Sequence, residues 1–149
     1  MNKEGDMQHA KVLLVDDEKP YINTMLKRLS KRGLKVISAY DGLEALETLE
    51  KDRTVDVVIL DIKMPRMDGM EALRHIKSKH PLVEVIMLTG HATVETGIEG
   101  MKMGACDYLM KPCDTEELVA KVQEAVARKR RQENKIMEAR IQTITLRKP

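Results

Sequence analysis

The chain has 149 residues, enough for one domain with a full hydrophobic core and too few for two of ordinary size. Apolar residues make up 42% and charged residues 34%, the balance of a soluble globular protein; Phe and Trp are absent and only three Tyr occur, which argues against an aromatic cofactor cage or a base-stacking surface. The net charge of +2 hides an asymmetry: residues 1–120 carry 17 Lys/Arg against 21 Asp/Glu, net −4, whereas residues 121–149 carry 9 against 3, net +6.

The N-terminal stretch MNKEGDMQHAK has no apolar region of the kind a secretory signal needs. No run approaches the roughly 20 apolar residues of a membrane span. Two cysteines, Cys106 and Cys113, in a chain of this size fit a reducing compartment. The expected location is cytoplasmic.

In chain order, Lys11–Val15 (KVLLV) is a nearly continuous aliphatic run, as in a strand covered on both faces of a parallel sheet. Ile22, Met25, Leu26 and Leu29 then recur at helical spacing, with Pro20 near the start and Gly33 just past the end. Lys35–Tyr40 (KVISAY) is a weaker strand pattern that suits an edge, and Asp41 with Glu44 resembles a capping box opening a second helix. Val55–Leu60 (VDVVIL) is the third strand, followed by a second box-like pair, Asp68 and Glu71. Val83–Leu88 (VEVIML) is the fourth strand; Val94, Ile98 and Met101 line a fourth helix closed by Gly104. Cys106–Met110 (CDYLM) is the fifth strand, and Asp114 with Glu117 opens a fifth helix lined by Leu118, Val122, Ala125 and Val126. Strict alternation of strands and helices implies an α/β doubly wound fold with right-handed crossovers.

A basic stretch, Arg128–Lys135 (RKRRQENK), interrupts the apolar seam after Val126, so a domain over residues 9–127 and a basic tail over 128–149 are expected. In that tail Met137, Ile141 and Ile144 keep helical spacing. Two readings stand: an extended fifth helix that pairs with a second copy, or a solvated extension or linker.

Ligands of doubly wound sheets bind beyond the carboxyl ends of the strands, where strand order reverses. Asp16 and Asp17 follow the first strand and Asp61 follows the third. If those strands are neighbours, three carboxylates converge and require a cation; hard oxygen ligands suit Mg²⁺. Thr89 and Lys111 end the fourth and fifth strands, where a hydroxyl and an ammonium reach phosphoryl oxygens on Asp61. Taken singly, Asp16 or Asp17 has an alternative reading as a helix cap, while the plainer reading of Thr89 is a β-branched strand residue or cap and that of Lys111 a solvated charge. Five such residues on four strand ends point together to phosphoryl chemistry.

The segments VLLVDDE (Val12–Glu18), LDIKMPRMDG (Leu60–Gly69), MLTGHA (Met87–Ala92) and YLMKP (Tyr108–Pro112) resemble, in order and spacing, the four signature segments of response-regulator receiver domains. The resemblance covers roughly residues 9–127. It implies a flavodoxin-like five-stranded parallel sheet of order 2-1-3-4-5 with five helices. It implies further that Asp61 is the phosphoacceptor; that Asp17, Asp61 and the Lys63 backbone carbonyl bind Mg²⁺ directly; and that Asp16 acts through metal-bound water. Thr89 and Lys111 would bind phosphoryl oxygens, Lys111–Pro112 would be cis, and Tyr108 would be the switch aromatic, its other reading being a plain buried strand Tyr. Lys63 and His91 resemble positions that tune phosphoryl loss, Lys63 by limiting access of water; the plainer reading of His91 is an inert surface residue. His9, His75 and His80 show no ligand-like spacing. Met101, Met103 and Met110 would offer an adaptable docking surface.

The implied partners are a sensor histidine kinase or phosphotransfer protein and a downstream protein, with homodimerisation through the fourth helix, fifth strand and fifth helix or through the C-terminal helix. No membrane partner is expected, and nucleic acid is a poor candidate for this chain alone. No external turnover is expected. The main alternative is a receiver cut from a longer DNA-binding or ATPase-type regulator, although a Walker A motif is absent. Two others are a phosphatase with an Asp nucleophile, which wants an Asp where Lys63 stands, and an FMN binder, which the acidic crevice disfavours.

Overall fold

The structure, a computed structural model, describes residues 10–147. The expected domain start at residue 9, with His9 and the N-terminal stretch before it, lies outside the described residues, as do the last two residues of the tail. The elements run β1 (Lys11–Val15), α1 (Lys19–Ser30), β2 (Lys35–Ala39), α2 (Gly42–Lys51), β3 (Val57–Leu60), α3 (Gly69–Lys79), β4 (Glu84–Thr89), α4 (Val94–Lys102), β5 (Asp107–Met110) and α5 (Thr115–Arg147). All strand pairs are parallel, in the order β2-β1-β3-β4-β5. Strand order reverses at β1, which pairs with both β2 and β3, so the crevice of the fold opens where β1 and β3 end side by side.

The aliphatic strands bury both faces. Val12, Leu14, Ile59, Ile86 and Leu88 pack with Ile22, Leu29, Leu118 and Val122 of α1 and α5. Leu13, Val15, Val58, Leu60 and Met87 pack with Leu49, Leu73 and Ile76 of α2 and α3. Adjacent residues of a strand point to opposite faces, which is why an uninterrupted apolar run serves both layers.

Three strands begin later than their apolar runs suggest. β3 starts at Val57, β4 at Glu84, which pairs with Val57, and β5 at Asp107. Tyr40 falls outside β2 because Asp41 caps α2, accepting a hydrogen bond from the Glu44 amide at 2.9 Å. Asp68 caps α3 in the same way through the Glu71 amide. Neither closes a full reciprocal box; Glu44 reaches back one residue further, to the Tyr40 amide at 3.0 Å. Asp114 accepts only a long bond from the Glu116 amide, 3.4 Å.

The fourth helix carries the expected apolar residues. Its apolar stripe exists but faces outward: Val94, Ile98 and Met101 are 79%, 54% and 48% exposed. The side toward the sheet is glycine. A Cβ on Gly97 would sit 3.5 Å from the Tyr108 ring, and one on Gly100 would sit 3.8 Å from both Tyr108 and Met87. Periodicity reveals a stripe but not which side the body lies on, and here two glycines let a bulky ring take the space that helix side chains usually fill. Met103, expected on the docking surface with Met101 and Met110, instead packs against the core; Met110 is exposed.

The fifth helix has 33 residues and runs through the basic stretch without a break. Lys129 is buried there, its Nζ 2.9 Å from the buried Asp56, and the seam after Val126 is therefore closed by an ion pair. Further on, Ile136, Met137, Ile141 and Ile144 are exposed. Among the described residues no helix is long and apolar enough to cross a membrane.

Candidate functional site at the carboxyl end of the sheet

The ladder brings the expected residues together. Val15 lies opposite Leu60, so the residues that follow, Asp16 and Asp61, leave adjacent strand ends. Their backbones stay tied to the sheet: the Asp16 amide donates to the Ala39 carbonyl and the Asp61 amide to the Val15 carbonyl, both at 3.1 Å. Asp16 and Asp61 are 1% and 4% exposed, whereas Asp17 and Glu18 are exposed. One carboxylate oxygen from each of the four lies within 4.8 Å of the others. Glu18 was not singled out from the sequence, although it directly continues the acidic pair and its amide donates to Asp16 Oδ1 at 2.9 Å.

Among the described residues one cation answers these acids. Lys111 Nζ lies 2.5 Å from Asp16 Oδ2, 3.5 Å from Asp61 Oδ2 and 3.9 Å from Glu18 Oε1. The ammonium also sits over the Tyr21 ring, 4.1 Å from its centroid, a contact the sequence did not suggest. The Lys111–Pro112 peptide is cis. Burial pushes the Asp16 carboxyl up, against the opposing hydrogen bond from Lys111. Burial alone would depress Lys111, but the Asp16 hydrogen bond and the fields of Asp16, Asp61 and Glu18 outweigh it and raise its pKa. The two shifts agree: the site stabilises cations and resists further negative charge.

Thr89 is fully buried at the end of β4, its Oγ1 accepting a bond from the His91 amide at 3.1 Å, and the Lys111 amide donates to the Thr89 carbonyl at 2.9 Å. The hydroxyl therefore stands on the strand between β3 and β5. Lys63 and His91 are exposed, and neither side chain joins the ion pairs of the acid cluster. The Lys63 carbonyl accepts no backbone hydrogen bond from the described residues, while the neighbouring Ile62 carbonyl is taken by Gly69 at 2.6 Å. Tyr108 is half-buried and turned toward α4, its hydroxyl 2.5 Å from Thr96 Oγ1. Thr96 also completes a reciprocal capping box with Thr93, the only one among the described helices. That pair went unread because a Thr at the third helical position is a less common partner than Glu or Gln.

Among the described residues the donor set is entirely oxygen and carries four carboxylates against one ammonium. Such a set suits a hard cation such as Mg²⁺, and Asp17 is the exposed acid beside the buried Asp16 and Asp61. It does not fit zinc or copper, which favour imidazole and thiolate; Cys106 and Cys113 are free thiols, and burial pushes Cys106 up to about 11.

Comparison with known proteins bears on the family of the chain. The chain is 38% identical over 121 residues to the DNA-binding transcriptional regulator NtrC of Escherichia coli, covering 81% of this chain and 26% of NtrC. It is 36% identical over 131 residues to the transcriptional regulatory protein ZraR of Klebsiella oxytoca, covering 88% of this chain and 29% of ZraR. The chain thus spans under a third of the length of these relatives. Among solved structures, a response regulator receiver domain protein from Clostridium thermocellum superposes with a TM-score of 0.78 at 38% identity, covering 81% of this chain and 97% of that one. Receiver domains of this kind are signalling domains rather than enzymes that turn over an external substrate. Residues 12–123 match the family model for the response regulator receiver domain, and the chain belongs to that family of two-component systems.

Proposed function

We propose that the chain takes a phosphoryl group on Asp61 in a Mg²⁺-dependent reaction and presents a changed surface to a protein partner. The observation that carries this reading is the imbalance at the carboxyl end of the sheet: among the described residues, four carboxylates gather within 4.8 Å, two of them buried, beside a single lysine. When bound, Mg²⁺ supplies charge neutralisation for an oxygen-rich transition state. Asp17, Asp61 and the Lys63 carbonyl would hold it, with Asp16 acting through water.

The remaining steps belong to the side chains. An Asp61 carboxylate oxygen attacks phosphorus of a phosphohistidine on a kinase or phosphotransfer protein; the phosphorus–nitrogen bond breaks and the departing imidazole takes a proton from solvent. Lys111 binds an equatorial oxygen and exchanges part of its contact with Asp16 for it. Thr89 offers its hydroxyl to another oxygen. The Lys63 side chain limits access of hydrolytic water, and His91 lines the same approach.

Phosphorylation adds about one further negative charge and acceptor oxygens. Thr89 moves toward them, Tyr108 leaves Thr96, and the α4–β5–α5 face changes shape; Val94, Ile98, Met101 and Met110 already expose apolar surface there. A coupling of roughly 1–3 kcal/mol is typical of such links. The downstream partner is a protein, or a second copy docking through this face or the C-terminal helix. The body of the receiver is residues 9–127, with 128–149 as a basic helical extension. The lengths of NtrC and ZraR favour a second reading of the context, a receiver that works within a longer DNA-binding or ATPase-type regulator. The location is cytoplasmic.

The test is incubation with acetyl phosphate and Mg²⁺ followed by mass measurement. Wild type gains the mass of one phosphoryl group, hydroxylamine removes it, and Asp61→Asn gains nothing. Equal labelling of Asp61→Asn sinks the reading.

A further inference from the structure

Arg66 is the one non-glycine residue at positive φ among the described residues, at 65°. An L side chain there is strained, so something must hold it. Its Nε donates to Asp41 Oδ2 at 2.7 Å, and its Nη2 lies 2.6 Å from the same oxygen. Asp41 is buried, and its other oxygen is already engaged by the Glu44 amide at the start of α2. Beside this pair the loop presses on the helix: a Cβ at Gly42 would meet the Met67 carbonyl at 2.9 Å.

The far end of the loop is equally tight. The Gly69 amide donates to the Ile62 carbonyl at 2.6 Å, and a Cβ at Gly69 would fall 1.9 Å from the Asp61 carbonyl, so only glycine fits. Lys63, Met64 and Pro65 are the residues left between these two anchors, with the ring of Pro65 fixing its own φ. The Lys63 carbonyl, which accepts no backbone hydrogen bond from the described residues, lies in this short span.

We propose that Arg66 and Asp41 are a positioning pair for the magnesium site, holding the loop that follows Asp61 so that the Lys63 carbonyl faces the acids. The inference rests on the metal-site reading above. The pair touches no ligand; it acts by restricting where one ligand can be. A guanidinium is suited to this because its planar fork fixes direction as well as distance, which a lysine ammonium does not.

The pair also secures α2, so the test must separate stability from metal affinity. Arg66→Gly removes the fork and relieves the positive φ. Asp41→Asn removes the charge while keeping a good helix cap. Calorimetric titration of Mg²⁺ into metal-free protein should show affinity falling roughly tenfold in each variant, as for removal of an outer-shell partner. The double variant should fall no further than either single one, because the two act as a unit. Arg66→Lys should recover only part of the loss. Thermal melting in EDTA reports stability separately.

Wild-type affinity in both variants overturns the inference, whatever their melting temperatures. So does a fully additive double variant. Asp17→Asn tells the two readings apart: Mg²⁺ binding that survives this change overturns the metal site itself. Binding lost in Asp17→Asn but unchanged in Arg66→Gly overturns the positioning role alone.

Discussion

The two ends of the sheet each bury an aspartate against a lysine, and they differ in what surrounds the pair. At the amino end, Asp56 accepts from the Lys11 amide at 3.0 Å and from Lys129 Nζ at 2.9 Å, with Arg130 at 3.7 Å. Nearby acids have their own partners, Lys11 for Asp52 and Arg53 for Glu50. At the carboxyl end, Lys111 is shared among Asp16, Asp61 and Glu18, and Asp17 has no cation within ion-pair distance among the described residues. A buried ion pair by itself signals structure. An excess of carboxylate that the protein leaves unanswered signals a ligand.

Deleting the lysine at each end gives the largest expected effects. Lys129→Met leaves Asp56 buried with weaker partners and should cost about 3 kcal/mol in denaturant unfolding, the same with or without Mg²⁺. Lys111→Met should cost a comparable amount in EDTA, and Mg²⁺ should restore part of it because the ion supplies the missing charge. Equal Mg²⁺ dependence at both ends would erase the distinction.

Deleting an acid should have opposite signs. Asp17→Asn removes a repelling charge and should stabilise the metal-free protein by about 0.5–1 kcal/mol, the size of an exposed charge interaction. Asp56→Asn breaks a satisfied pair and should destabilise. Destabilisation by Asp17→Asn in EDTA would mean its carboxylate has a structural partner.

A smaller effect concerns His80, buried near the amino end. Burial lowers its pKa from 6.5, and Arg53, whose Nη1 lies 3.2 Å from Nδ1, adds to the shift. A guanidinium only donates, so Nδ1 accepts and the neutral ring carries its proton on Nε2, 3.3 Å from Glu50 Oε1. Because the folded pKa lies below the unfolded one, this stability is present above pH 6.5 and is lost as pH falls through the folded value. Melting temperature should therefore decline less between neutral and mildly acid pH in His80→Gln than in wild type. Parallel curves would remove His80 from the account.

The contrast between the ends also explains what could be read from sequence. Asp16, Asp17, Asp61, Thr89 and Lys111 each end an aliphatic run, so a strand pattern with one register places them together without knowledge of side-chain contacts. Lys129 and Asp56 lie 73 residues apart, one inside a basic run and one just before β3, and nothing local links them. Arg66 and Asp41 are hidden for the same reason. The outward turn of Val94, Ile98 and Met101 was illegible because periodicity has no sign; only the room that Gly97 and Gly100 leave for Tyr108 decides it.

The most direct measurement is calorimetric titration of Mg²⁺ into the metal-free wild type, Asp17→Asn and Lys129→Met proteins. One ion per chain is expected for wild type and for Lys129→Met, with that binding lost in Asp17→Asn. Absence of binding to wild type, or binding that Asp17→Asn leaves intact, would contradict this expectation.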